Sequence, residues 1–209
     1  GRGMAYSASV QWMPTTGEFG PRGGFGDLEH HEKLATRFGS SYAYAPDEYR
    51  AAPLDQPKPN ETQLRLSDGV YAFETGALAD SVTVEYLQYN ELAIDAGLKY
   101  RGWSFQSEFY TRRLSNFVAD GPLPLTSVTD YGAQAQLGYM VVRDKLLMYV
   151  SGGYVWDQFK RYPYEISPGL SFYPMGTRSW RLNLHTINVH KSPTGSSFGY
   201  YAAGQDGWT

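Results

Sequence analysis

Residues 92–110, LAIDAGLKYRGWSFQSEFY, decide the fold. Leu92, Ile94, Ala96, Leu98 and Tyr100 alternate with Ala93, Asp95, Gly97 and Lys99, which is the two-residue period of a β-strand with one apolar face. Arg101-Gly102 reads as a tight turn. Beyond it Trp103, Phe105, Ser107 and Phe109 alternate with Ser104, Gln106 and Glu108, and Arg112 continues the polar side. Two neighbouring antiparallel strands therefore each carry a greasy side and a hydrophilic side, and the hydrophilic sides form one wall. A single pair of this kind also fits a soluble β-sandwich. Repetition of the unit from Glu91 to His190 points instead to a transmembrane β-barrel, whose strands of roughly 9–11 residues turn apolar side chains to lipid and polar ones to the lumen.

About eight strands are expected, near 3–13, 33–45, 89–100, 103–117, 130–142, 146–157, 164–174 and 178–190. Short connections at Arg101-Gly102, Val142–Lys145 and Pro174–Ser179 alternate with longer ones at 45–88, 118–129 and 157–163, as periplasmic turns alternate with external loops in outer-membrane barrels. Leu92, Ile94, Leu98, Phe105, Phe109, Leu137, Leu170 and Phe172 are expected to face lipid. In 180–190 the apolar register changes sides after Leu184, and a bulge near His185 or Thr186 would restore it. Two connections stand out. The stretch 45–88 holds Pro46, Pro53, Pro57 and Pro59 and is long enough to be functional, either folded into a channel or engaged with a neighbouring subunit. The stretch 14–31 should by parity be a short turn, yet it is long and glycine-rich.

Composition fits one all-β unit: 209 residues, read as a single domain over 1–209. The mean hydropathy of −0.46 resembles that of a soluble protein, but half of every barrel strand is polar and averages hide this. The aromatic fraction of 16% fits girdles at two membrane interfaces. No run of about 18 apolar residues occurs, so no transmembrane helix is expected. With no cysteine, disulfides, thiolate metal sites and a cysteine nucleophile are excluded. A net charge of −3 points to no nucleic-acid partner.

Several stretches are distinctive as sequence: WMPTTGEFGPRGGFGD at 12–27, HEKLATRFG at 31–39, the opening 92–110, DGPLPLTS at 120–127, YMVV at 139–142 and RLNLHTINVHKSPTGSSFGYYAAGQDG at 181–207. Together they resemble the carboxy-terminal half of a porin group of planctomycete-type bacteria, similar in kind to the phosphate-selective porin O and P family. The resemblance implies a bacterial outer-membrane location, a barrel of roughly sixteen strands, a homotrimer, and contact with membrane lipid and lipopolysaccharide. It also implies that 1–209 is part of a larger barrel, ending in an external loop with the closing strand still to come. It implies no cofactor, and its motifs carry no catalytic signature.

The residues themselves offer little other chemistry. Asp27, Glu29, His30, His31 and Glu32 include competent metal ligands, but a solvated charged turn leading into a strand is the simpler expectation. PRGGFG at 21–26 matches no phosphate-binding loop. Asn60-Glu61-Thr62 matches a glycosylation acceptor by chance. With four histidines and no GxSxG elbow, a barrel lipase is not supported. His185 reads as a wall residue. Asp95 and Glu108 have candidate basic neighbours in Lys99 and Arg112, which suits a pore wall better than a glycosidase pair.

The expectation is thus a non-enzymatic outer-membrane porin through which small hydrophilic solutes or ions diffuse. Its candidate pore-lining residues are Lys33, Arg37, Asp95, Lys99, Gln106, Glu108, Arg112, Gln134, Gln136, Glu165 and Arg181, with Lys99, Glu108 and Arg112 expected to set ion preference. Two alternatives stay open: a structural or adhesive envelope barrel with a plugged lumen, and a soluble all-β binding domain with its aromatics in a ligand cleft.

Overall fold

A computed structural model of the chain describes residues 4–20, 25–49, 64–191 and 206–208. Pro53, Pro57, Pro59 and the Asn60–Thr62 triplet lie outside these residues. The strands are β1 (Tyr6–Trp12), β2 (Ala35–Tyr49), β3 (Val84–Tyr100), β4 (Trp103–Ala119), β5 (Ser127–Val142), β6 (Leu146–Asp157), β7 (Tyr164–Phe172), β8 (Leu182–His185), β9 (Asn188–His190) and β10 (Gly207–Trp208). They form one antiparallel meander in the order β1-β2-β3-β4-β5-β6-β7-β9-β10, with β8 also along β7. Among the described residues β1 and β10 do not pair, so the sheet is open.

The hairpin of 92–110 folds as its sequence dictates. Tyr100 pairs with Trp103, and Arg101 (φ 47°) and Gly102 (φ 88°) both take the left-handed conformation that a two-residue hairpin turn needs to match strand twist. β2 to β5 run longer than the alternation announces, whereas β1 and β7 are shorter and the stretch expected at 178–190 forms the short β8 and β9. β3 begins at Val84, where register shifts beside Tyr86 break the period that would have revealed it. The bulge expected near His185 is absent. Gly169 pairs with His185 and Ile166 with Asn188, one unbroken register across a gap opposite Pro168, which has no N–H to donate. Ile187 and Val189 therefore fall on the polar side. Gly207 and Trp208 pair with Val189 and Asn188, so these residues are strand and not loop.

Register fixes the two faces. On one stand Val10, Phe38, Leu92, Ile94, Leu98, Phe109, Leu137, Val150, Ile166, Leu170 and Phe172, all exposed, with Phe105 half-buried among them. Seven of the eight residues expected on the greasy side are thus bare, Ile94 at 52% exposure. On the other face Lys99 and Asp130 are fully covered, at 0% and 1%. Burial runs opposite to that of a soluble sheet, where the apolar face is the covered one.

Two connections provide the cover, both on the polar face. At the end with short turns, Leu28 packs on Met140, Leu147 and Tyr173. At the opposite end, Leu66, Ala72 and Phe73 pack on Val84, Leu87, Leu114 and Val128. Ser67 and Asp68 tie that second cap to Asp157 and Arg161 in and after β6. The described part of the long 45–88 connection therefore folds over this chain's own polar face.

Candidate pore-lining face

Between the two caps lies a polar band. The pairing Asp95–Glu108–Gln134–Gly153–Glu165 is one continuous row from β3 to β7, so period-two alternation brings three carboxylates to one level. Arg37, Asp95, Gln106, Glu108, Gln134, Gln136, Ser151 and Glu165 line a cavity of about 220 Å³ there. Seven of these are residues singled out from sequence. The Arg37 guanidinium donates to Asp95 at 3.0 Å. Glu108 and Glu165 enter no ion pair among the described residues, so the band carries an acidic excess.

The other four expected residues stand outside this band. Lys33 lies in a bend before β2 and Arg181 just before β8, both exposed at the turn end of the sheet. Lys99 points to the polar face, as its register requires, but is sealed under the turn-end cap: the Phe19 ring centroid is 4.9 Å from its ammonium, and Glu29 is its carboxylate neighbour at 3.9 Å. Arg112 is held by Asp130, with Nε donating at 3.1 Å and Nη2 at 2.6 Å. The pairings expected from local sequence, Asp95 with Lys99 and Glu108 with Arg112, are not formed, because cross-strand and cap partners lie closer. A bidentate pair this covered fixes the wall and leaves Arg112 little freedom to meet a solute.

The acidic turn 27–32 is solvated only in part: Glu29 and Glu32 are exposed, while Asp27 and His31 are not. Asp27 is fully buried and His31 nearly so. Asp27 accepts from the Gly102 N–H at 2.8 Å and from the His31 N–H at 3.1 Å. The His31 ring bridges Asp27 and Glu18, the latter at 2.8 Å. Glu29 meets Arg178. Burial by itself would raise the pKa of Glu29, but the hydrogen bonds from Arg178 and the backbone, with the charges of Arg178 and Lys99, outweigh it and hold the carboxyl below the usual range. Ligand atoms of Asp27, Glu29 and His31 lie within 4.8 Å of one another, the spacing of a possible cation site. Every one of those donors already has a partner, and Lys99 stands beside them, so the cluster is built as a clasp between the cap and the hairpin turns.

Phe19, Asp27, His31, Asp130 and Arg178 were the residues that sequence reasoning missed as site-building. Arg178 and Glu29 are 149 positions apart, Asp27 reaches across to the Gly102 N–H while bonding His31 within its own turn, and no hydrophobic period marks any of them.

Comparison of the chain with protein-family models, with characterised proteins and with solved structures finds no match to any.

Proposed function

We propose that this chain forms part of the wall of a bacterial outer-membrane porin, a water-filled β-barrel for passive diffusion of small hydrophilic solutes or ions. One observation carries the reading: the sheet leaves its large apolar residues bare on one face and covers charged ones on the other. In water a continuous apolar face of this extent is a strong liability; in a bilayer it is the lipid-facing surface. Aromatic placement supports the same reading. Trp103 packs at a tilt on Tyr139 at 4.6 Å at the turn end, while Tyr154 packs on Trp156 at 4.7 Å near the loop end, with Ala96, Leu98, Ala135 and Leu137 in the rows between. From Tyr100 to Leu92 the strand rises about 27 Å before tilt, comparable with the apolar band about 25 Å tall of such barrels.

Closure into a larger barrel is part of the proposal. β1, YSASVQW, has no charge and no proline, none of the devices that protect a free strand edge, and its Tyr6, Val10 and Trp12 continue the greasy face. In hydrocarbon an unpaired edge costs several kcal/mol per backbone group, so a further strand belongs beside it. A homotrimer contacting lipid and lipopolysaccharide remains the assembly that the sequence resemblance implies.

A second reading, a structural barrel with a filled lumen, is favoured by the caps at both ends of the polar face. Single-channel conductance of the complete polypeptide in planar bilayers decides between them. Stepwise, ohmic openings support the porin; a folded, membrane-inserted protein that never conducts supports the filled barrel.

A further inference from the structure

We propose that Phe19 determines what charge a permeating solute meets, by covering Lys99 and leaving Glu108 and Glu165 as the unpaired charges of the central band. The inference rests on the porin reading and names a determinant of selectivity within that same face.

The seat for Phe19 is built into the wall. Gly97, in β3 three residues before its end, faces the ring so closely that a Cβ there would lie 2.6 Å from Cζ. Glycine in a strand interior sacrifices packing and stability, and here the position is filled by the aromatic ring of another segment. The ring is only 5% exposed. Its centroid lies 5.1 Å from the Arg37 guanidinium and 4.9 Å from the Lys99 ammonium, the range of cation–π attraction. Each cation also keeps a polar atom unsatisfied: Lys99 Nζ and Arg37 Nε are buried without a hydrogen-bond acceptor. An apolar ring therefore lies against two positive charges on an otherwise hydrophilic face, and of the two it is Lys99 that is fully sealed. The limb that carries it is anchored at its root, where the Thr36 N–H donates to Thr15 at 2.9 Å, and immediately before the ring by Glu18 on His31.

With the ring in place the exposed balance of the band is negative, since Arg37 is spent on Asp95 and Lys99 is sealed. Without it, the Lys99 cation joins the aqueous face, where Arg37 already stands paired with Asp95. The consequence is cation preference in the native channel and a shift toward anions when the ring is removed.

The test uses the complete polypeptide and three variants: Phe19→Ala, Gly97→Val, which evicts the ring from the wall side and suits a strand, and Phe19→Trp, which keeps an aromatic cover. Two readouts are taken. In detergent, acetylation of Lys99 by a water-soluble acylating reagent, followed by mass spectrometry, is compared with that of exposed Lys33 and Lys145. In bilayers, the reversal potential is read under a potassium chloride gradient. Native protein and Phe19→Trp should protect Lys99, whereas Phe19→Ala and Gly97→Val should bring its modification to the rate of the two reference lysines and move the reversal potential toward anions. Lys99 equally modified in native protein and variants overturns the inference, and so does an unchanged reversal potential in variants whose Lys99 has become reactive. If Lys99 is unmasked as expected but no form conducts, the cover stands as geometry, its role in selectivity is overturned, and the porin reading falls with it. Gly97→Val keeps the test decisive should Phe19→Ala fail to fold.

Discussion

Arg178, between β7 and β8, grips Glu29 in the β1–β2 connection: Nη2 lies 2.7 Å from each carboxylate oxygen, and Nε lies 3.0 Å from Oε1. The same guanidinium reaches the Gly26 carbonyl at 3.4 Å. This pair fastens the turn-end cap to the far side of the sheet, and its sensitivity to acid follows from the depressed Glu29 pKa. A carboxylate whose folded value lies below its unfolded one adds stability above the unfolded value, about 4.3, and loses it as pH falls through the folded value. Arg178→Gln should therefore lower stability at neutral pH, and the deficit should shrink below about pH 4. Both side chains are partly exposed, so about 1 kcal/mol is the expected ceiling. Thermal unfolding of both proteins over a pH series checks this; a deficit independent of pH contradicts it.

Arg112 and Asp130 form the more covered pair, with Asp130 at 2% side-chain exposure. Removing one partner strands the other charge. Asp130→Ala should cost about 3 kcal/mol, and adding Arg112→Met should recover part of that loss. Denaturant unfolding of the single and double variants gives the answer, and a double variant less stable than the single one would refute the pairing as the source of the cost.

The two faces differ in what they tolerate. Ile94→Arg places a charge on the bare apolar side and should cost about 2–4 kcal/mol in a bilayer, while Gln134→Arg, on the polar band, should fold nearly as well as the native chain. Heat-resistant migration in detergent reports folding for each. If Gln134→Arg is the more damaging, the facing is inverted.

The strand pair of 92–110 was legible to the residue because alternation and an Arg-Gly turn are local signals. So was the side each residue takes: Asp95, Gln106, Glu108, Gln134, Gln136 and Glu165 stand together as alternation requires. What covers them was not legible. Lys99 and Arg112 alternate like their neighbours, and only the three-dimensional path of residues 13–20 and the pairing of β4 with β5 remove them from the open face. The length of the β1–β2 connection, unexplained by strand parity, is accounted for by its work as a cap. The run Val84–Gln88 hid its strand character behind two register shifts, and Ile187 and Val189 invite a bulge that Pro168 makes unnecessary.

The central claim is that one face of this sheet meets lipid and the other water. The chain has no cysteine, so single cysteines bearing a nitroxide can be placed at each residue from 92 to 98 in the complete polypeptide, reconstituted in lipid. Collision rates with oxygen, which concentrates in hydrocarbon, and with a water-soluble nickel chelate then report each environment by electron paramagnetic resonance. Oxygen should dominate at 92, 94, 96 and 98 and the chelate should gain at 93 and 95, with a period of two; at 97 the label displaces the Phe19 ring and is left out of the comparison. Chelate access at the even positions equal to or above that at the odd ones would contradict the account.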